Sequence, residues 1–188
     1  MASPVHGIVR SEKVDNQIKA VVLTISDRCS RGETADSSGP AVARFLEEKL
    51  NANIYNTEVI PDHQPTIEQR LKLYCDDHDI DLLVTAGGTG FSPHDVTPEA
   101  VRSVVERFTP GLDEAMRQAS LQKTPFAVLS RGVSGVRHRT LIVSLPGSEK
   151  GAMENLEAIA KVLPHGLAIM RGEPSDCGRS EPSGESHV

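Results

Sequence analysis

Short runs of aliphatic and β-branched residues alternate along the chain with stretches whose apolar side chains recur every third or fourth position. Ala20–Ile25 reads AVVLTI, carries no charge and is closed by Ser26-Asp27, the pattern of a strand covered on both faces. Ile54–Ile60, Asp81–Ala86, Phe126–Ser130 and Thr140–Leu145 predict four further strands on the same grounds. Helices fall between them. Pro40–Leu50 opens on a favoured first-turn proline, with Ser38 or Gly39 as cap and Val42, Phe45 and Leu46 on one face. Thr66 reads as the cap of a helix striped by Ile67, Leu71, Tyr74 and Cys75. Thr97 reads as the cap of the next, with Val101, Val104, Val105 and Phe108 inward. Leu112–Leu121 and a long segment from Lys150 to Met170, kinked at Pro164, complete the set.

Strand and helix in alternation predict an α/β fold, a three-layer α/β/α sandwich around a mostly parallel sheet. Residues 18–171 form the expected domain. Residues 1–17 are polar and aperiodic, and are expected to be a flexible arm. From Gly172 to Val188, nine of 17 residues are Gly, Pro or Ser, a composition that cannot repay the entropy of ordering. That tail is expected to be disordered.

Charge and composition narrow the function. Twenty Lys and Arg stand against 26 Asp and Glu, for a formal net charge of −6, which argues against a broad nucleic-acid footprint. Only 3% of residues are aromatic, too few for a base-stacking platform. No early apolar run is long enough for a signal peptide or membrane span. Cys29, Cys75 and Cys177 fit neither a disulfide framework nor a zinc pattern; reduced thiols in a cytoplasmic protein are expected. A small anion remains open as ligand, because backbone N–H groups can hold one without net positive charge.

In parallel sheets ligands collect beyond the carboxyl ends of the strands, and small, polar turns cluster there. Gly87-Gly88-Thr89-Gly90 follows the third predicted strand, and its glycines can turn successive N–H groups toward an anion. Thr97-Pro98 then begins a helix whose positive end adds to that neighbourhood. Asp95 would repel a phosphate unless a cation such as nucleotide-bound Mg²⁺ intervened. Neither a P-loop nor a dinucleotide fingerprint is present. Asp27, Asp62, Ser38 and Gly39 are candidates for substrate or metal contacts, and each could equally be an ordinary turn or cap residue. Pro146, Gly147 and Ser148 bring backbone close above the sheet, while Ser130, Arg131, Ser134 and Gly135 form a polar loop with a guanidinium suited to phosphate.

The segments ISDRCSRGETADSSGP, LLVTAGGTGFSPHDVTPEA, LSRGVSGVR and LIVSLPGSEKG together resemble the molybdopterin-binding family, which includes molybdopterin adenylyltransferases and the G domains of gephyrin and of plant molybdenum insertase. The resemblance runs from about Lys19 to Met170. It implies transfer of AMP from ATP to the terminal phosphate of molybdopterin, with Mg²⁺, in molybdenum cofactor synthesis. It implies catalytic and Mg²⁺-positioning roles for Asp62 and Asp95, with Asp27 supporting the pterin end. Gly87, Gly88, Thr89, Gly90, Thr97, Ser38, Gly39, Pro146, Gly147 and Ser148 would cradle phosphates and nucleotide; Ser130, Arg131, Ser134 and Gly135 would line the neighbouring pocket. A homotrimer and a downstream molybdate-inserting enzyme are also implied. A non-catalytic molybdopterin binder, or a scaffold, is the alternative. Two positions depart from many relatives: Ser144 replaces Asn, and His138 replaces Gly, where it would add bulk beside the pocket.

Overall fold

A computed structural model describes residues 17–77 and 79–173; the expected arm up to residue 16 and the tail from residue 174 lie outside them. The elements in chain order are β1 (Lys19–Ile25), α1 (Asp27–Ser30), α2 (Ser38–Leu50), β2 (Asn53–Ile60), α3 (Gln64–Asp77), β3 (Leu82–Ala86), α4 (Thr97–Val104), β4 (Arg107–Phe108), α5 (Pro110–Leu121), a 3₁₀ turn (Pro125–Leu129), β5 (Gly135–Arg137), β6 (Thr140–Leu145), α6 (Glu149–Ile159) and α7 (Leu163–Arg171). One sheet runs in the order β2-β1-β3-β6-β5-β4. Its first four strands are parallel, and β5 and β4 are antiparallel additions at one edge.

The central strands are buried on both faces because their residues alternate between two cores. Val22, Val84 and Val143 point to one side, where α2, α5, α6 and α7 supply residues such as Phe45, Met116, Leu156 and Leu167. Leu23, Leu83 and Ile142 point to the other, against Ile67 and Leu71 of α3 and Val101 of α4. This is the expected three-layer sandwich, and the predominantly aliphatic strand sequences follow from it. Cys75 packs in the second core, where burial pushes its thiol up to about 12 and leaves it inert. Among the described residues no helix is long and apolar enough to cross a membrane.

Several local expectations are corrected. Phe126–Ser130 is not a strand: Pro125 opens a 3₁₀ turn, and Phe126 and Val128 are exposed at 75% and 60%. Gly135–Arg137 takes its place in the sheet. The long last helix is two, α6 and α7, with α7 carrying Pro164 in its first turn. Phe108 is exposed on β4 rather than inward on α4. Thr66 lies inside α3, its hydroxyl against His63 Nδ1 at 2.9 Å, and Thr97 is the first residue of α4, not its cap. His138 occupies the β5–β6 turn, ahead of β6 and so at the opposite end of the sheet from Leu145. It adds no bulk to any pocket at the carboxyl edge. Its φ of +51° is the conformation glycine adopts without steric cost.

Candidate functional site

β1, β2, β3 and β6 all end at one edge of the sheet, and their exits are tied together there. The Asp27 N–H donates to Asp62 Oδ2 and the Asp62 N–H donates to Asp27 Oδ1, both at 3.0 Å, so the exits of β1 and β2 bracket each other. Behind β1, the Asp36 carboxylate accepts from the Thr24 hydroxyl at 2.7 Å, the Gly39 N–H at 3.0 Å and the Ser38 hydroxyl at 3.2 Å. The donors expected of Ser38 and Gly39 are therefore directed at Asp36, because α2 needs its first turn capped inside the protein.

After β3 the chain turns through Gly87 at φ +118° and Gly88 at φ +61°. A Cβ at Gly87 would stand 2.1 Å from the Ile25 carbonyl oxygen, and one at Gly88 would stand 2.4 Å from Thr97 Oγ1 and 2.7 Å from Asp62 Oδ1. Only glycine fits either position. The Thr97 hydroxyl donates to Gly87 O at 2.9 Å and its N–H to Gly88 O at 3.1 Å. Thr97 thus fastens the glycine loop to α4 and is itself fully buried.

Two clefts open on this edge. The larger, about 480 Å³, lies between α5 and α6 under the 3₁₀ turn; the smaller, about 330 Å³, lies between the β1–α2 loop and Asp62. Gly88, Asp95 and Gly147 belong to both. The sequence-predicted Thr89, Gly90, Ser130, Pro146 and Ser148 line the larger cleft, and Ser38, Asp62 and Gly87 line the smaller. Asp27 reaches the site through its bracket with Asp62. Gly39, Thr97, Arg131, Ser134 and Gly135 line neither cleft. Ser134 is fully buried, with its hydroxyl and N–H on Asp113 at 2.6 and 3.0 Å, and Gly135 sits in β5 against Arg107. The Arg131 guanidinium, expected at phosphate, is instead spent on Gly90 O, Asp95 O and Glu99.

In the smaller cleft one carboxyl is perturbed. Burial pushes Asp62 above the ordinary carboxylate range; the Asp27 N–H opposes that rise, and the charges of Asp27 and Asp95 reinforce it. Among the described residues no group of three His, Cys, Asp or Glu side chains is assembled to hold a metal. A cation with one or two protein carboxylates and phosphate oxygens as its other ligands still suits this place.

The larger cleft holds residues that the sequence reading passed over. Asp113, Met116, Arg117 and Ser120 line it from α5 at helical spacing, and Asn155 faces them from α6. Ser144, also in its lining, is buried with its hydroxyl on Val133 O at 2.6 Å. Burial pushes the Asp113 carboxyl up, against the opposing hydrogen bonds from Ser134. The sequence signal is weak: Asp113, Arg117 and Ser120 recur at helical spacing, but Glu114 and Gln118 on the same helix are polar as well.

A family model described as "Probable molybdopterin binding domain" matches residues 21–165. The molybdopterin adenylyltransferase of Helicobacter pylori is 41% identical over 152 residues, covering 80% of this chain and 86% of that protein. The molybdenum cofactor synthesis protein cinnamon of Drosophila melanogaster is 38% identical over 154 residues, 82% of this chain but only 26% of its own length. The crystal structure of a molybdopterin biosynthesis enzyme from Thermus thermophilus superposes with a TM-score of 0.79 at 47% identity, over 84% of this chain and 99% of that one. With the matched segment running from β1 into α7, the chain belongs to the molybdopterin-binding domain family.

Proposed function

We propose that this protein transfers the adenylyl group of ATP to the terminal phosphate of molybdopterin, releasing pyrophosphate. The observation that carries the reading is the seam at Gly88, Asp95 and Gly147, where two clefts large enough for a heterocycle each meet over one carboxylate. A phosphate oxygen of molybdopterin forms a bond to the α-phosphorus of ATP, and the bond from that phosphorus to the pyrophosphate oxygen breaks. Joining two anions in this way needs alignment and charge neutralisation more than a proton donor. Asp62 and Asp95 would hold Mg²⁺, which supplies that neutralisation when bound. The raised Asp62 carboxyl and its acidic neighbours fit the ion, and the absence of a third such ligand among the described residues fits its arrival with the nucleotide. The product would be the substrate of a molybdate-inserting enzyme.

The test is pyrophosphate release from purified protein given molybdopterin, ATP and Mg²⁺. Asp95→Asn should keep molybdopterin binding within about threefold and lower turnover at least about 10²-fold, the scale of losing one charge-stabilising group. Wild-type protein that binds molybdopterin but releases no pyrophosphate would establish a non-catalytic binder instead.

A further inference from the structure

The lobe that carries Asp95 has no apolar anchor of its own. Residues 91–94 are all exposed, Phe91 at 64%. Within the lobe the Ser92 N–H donates to Asp95 Oδ2 at 2.8 Å, and the Asp95 N–H donates to Ser92 O at 2.9 Å. Those bonds orient the carboxylate within the lobe, while Thr97, through Gly87 O and Gly88 O, and Val96, packed on the second core, tie only its neck. The body of the lobe, Gly90 to Asp95, is held from 36 residues further along the chain. Arg131 Nε donates to Gly90 O at 2.7 Å and Nη2 to Asp95 O at 2.6 Å, so one guanidinium grips both feet of the lobe. Nη1 pairs with Glu99 on α4, and the Arg131 N–H donates to Thr89 O at 2.9 Å. The three guanidinium bonds are charge-assisted and set in a fixed fork that a lysine cannot reproduce, whereas the backbone bond to Thr89 survives any substitution of the side chain.

We propose that Arg131 is a positioning residue for Asp95, holding the Gly90–Asp95 lobe in register at the seam of the two clefts. This rests on the adenylyltransferase reading for its catalytic consequence, but the mechanical part stands apart from it. Arg131 directly follows Ser130, and the 3₁₀ turn just before it walls the larger cleft through Phe126, Ala127 and Leu129. The strap therefore couples the wall that receives one substrate to the carboxylate between both.

Arg131→Met and Arg131→Lys in the full chain test this, with Arg139→Met at the opposite end of the sheet as control. Hydrogen exchange of the amides of residues 90–92 and 94–96 (Pro93 has none) should quicken about tenfold or more in Arg131→Met, the scale of losing charge-assisted bonds to the lobe. Turnover should fall about 10²-fold, as expected of a displaced carboxylate, and half-activation should need more Mg²⁺, while KM for ATP changes little. Arg131→Lys should fall between, and it carries the test if the Met variant does not fold. Unchanged exchange in 90–96 overturns the proposal. A raised KM for ATP with turnover intact also overturns it, because that is the mark of direct phosphate contact. A wild type that releases no pyrophosphate sinks the adenylyltransferase reading alone; the exchange result then decides the strap.

Discussion

Asp62 opposes the fold at neutral pH for the same reason that it suits the site. Its carboxyl is half-buried among Asp27 and Asp95, and its folded pKa is raised by burial first. A raised carboxyl binds more protons folded than unfolded, so stability falls as pH climbs from the unfolded value through the folded one, and the loss persists above it. Asp62→Asn should therefore raise the melting temperature of the ligand-free protein at pH 7. That gain should shrink toward zero as pH drops below the unfolded value of about 4. The variant keeps an oxygen to accept the Asp27 N–H yet should lose Mg²⁺-dependent turnover, an exchange of stability against activity common at such sites. Calorimetry across pH decides it: a variant less stable than wild type at pH 7 would mean that the bracket outweighs burial. Asp95 could be picked out in the sequence because a carboxylate following a glycine turn is electrostatically odd, whereas Asp62, after Pro61, reads equally as a turn residue and is singled out only by the family resemblance. Arg131 was legible only as a cation near the site, since its true partners, Gly90, Asp95 and Glu99, are brought to it by tertiary folding.

At the scale of elements, periodicity located the central strands well because both faces of each are buried, leaving runs with no charge after Lys19 and only small hydroxyl residues among the aliphatic ones. It failed at Phe126–Ser130, where four apolar residues in a row signal a burial that only Ala127 attains; Pro125 and the Thr124 hydroxyl, which accepts from the Phe126 N–H, turn the segment into a 3₁₀ rim for the larger cleft. It also missed β5, whose three residues are too few for any period to register. The β5–β6 turn offers a test of the departure at position 138. His138 holds φ +51°, and its ring lies 3.1 Å from Glu106 and 3.4 Å from Asp76. Relief of the left-handed backbone is worth about 1 kcal/mol or a little more, while lost surface pairing and the greater freedom of an unfolded glycine each cost up to about 1 kcal/mol. His138→Gly should shift unfolding free energy by less than about 1 kcal/mol and leave turnover unchanged, because the turn lies at the far end of the sheet from the clefts. A severalfold change in turnover would show that this end of the sheet communicates with the site.

The whole molecule separates function from closure along the strand direction. Strand exits hold the clefts, and strand entries hold a clasp between the first and last parts of the domain. Arg171, the last residue of α7, places Nε 2.9 Å from Asp81 Oδ1 and Nη2 2.7 Å from Oδ2, and Asp81 Oδ2 also accepts the Lys19 N–H at 2.8 Å. Arg171 Nη2 further donates to Gln17 O at 3.2 Å. The side chains of the pair are only 16% and 17% exposed, so they are little screened, and removing one partner leaves a poorly solvated charge on the other. Arg171→Met keeps the apolar stem but strands Asp81, and should cost about 2–3 kcal/mol, the range for losing charged hydrogen bonds in a partly buried place. In a domain of this size that is a fall of roughly 5–10 °C in Tm. Asp81→Asn in the Arg171→Met background removes the stranded charge and should recover part of the loss, so the double-mutant cycle should give a coupling above about 1 kcal/mol. Turnover should hold throughout at temperatures where the variants stay folded, since no member of the clasp lines either cleft. Urea denaturation of the four proteins measures the coupling, and additive losses would show that the clasp closes the domain by geometry without contributing to its stability.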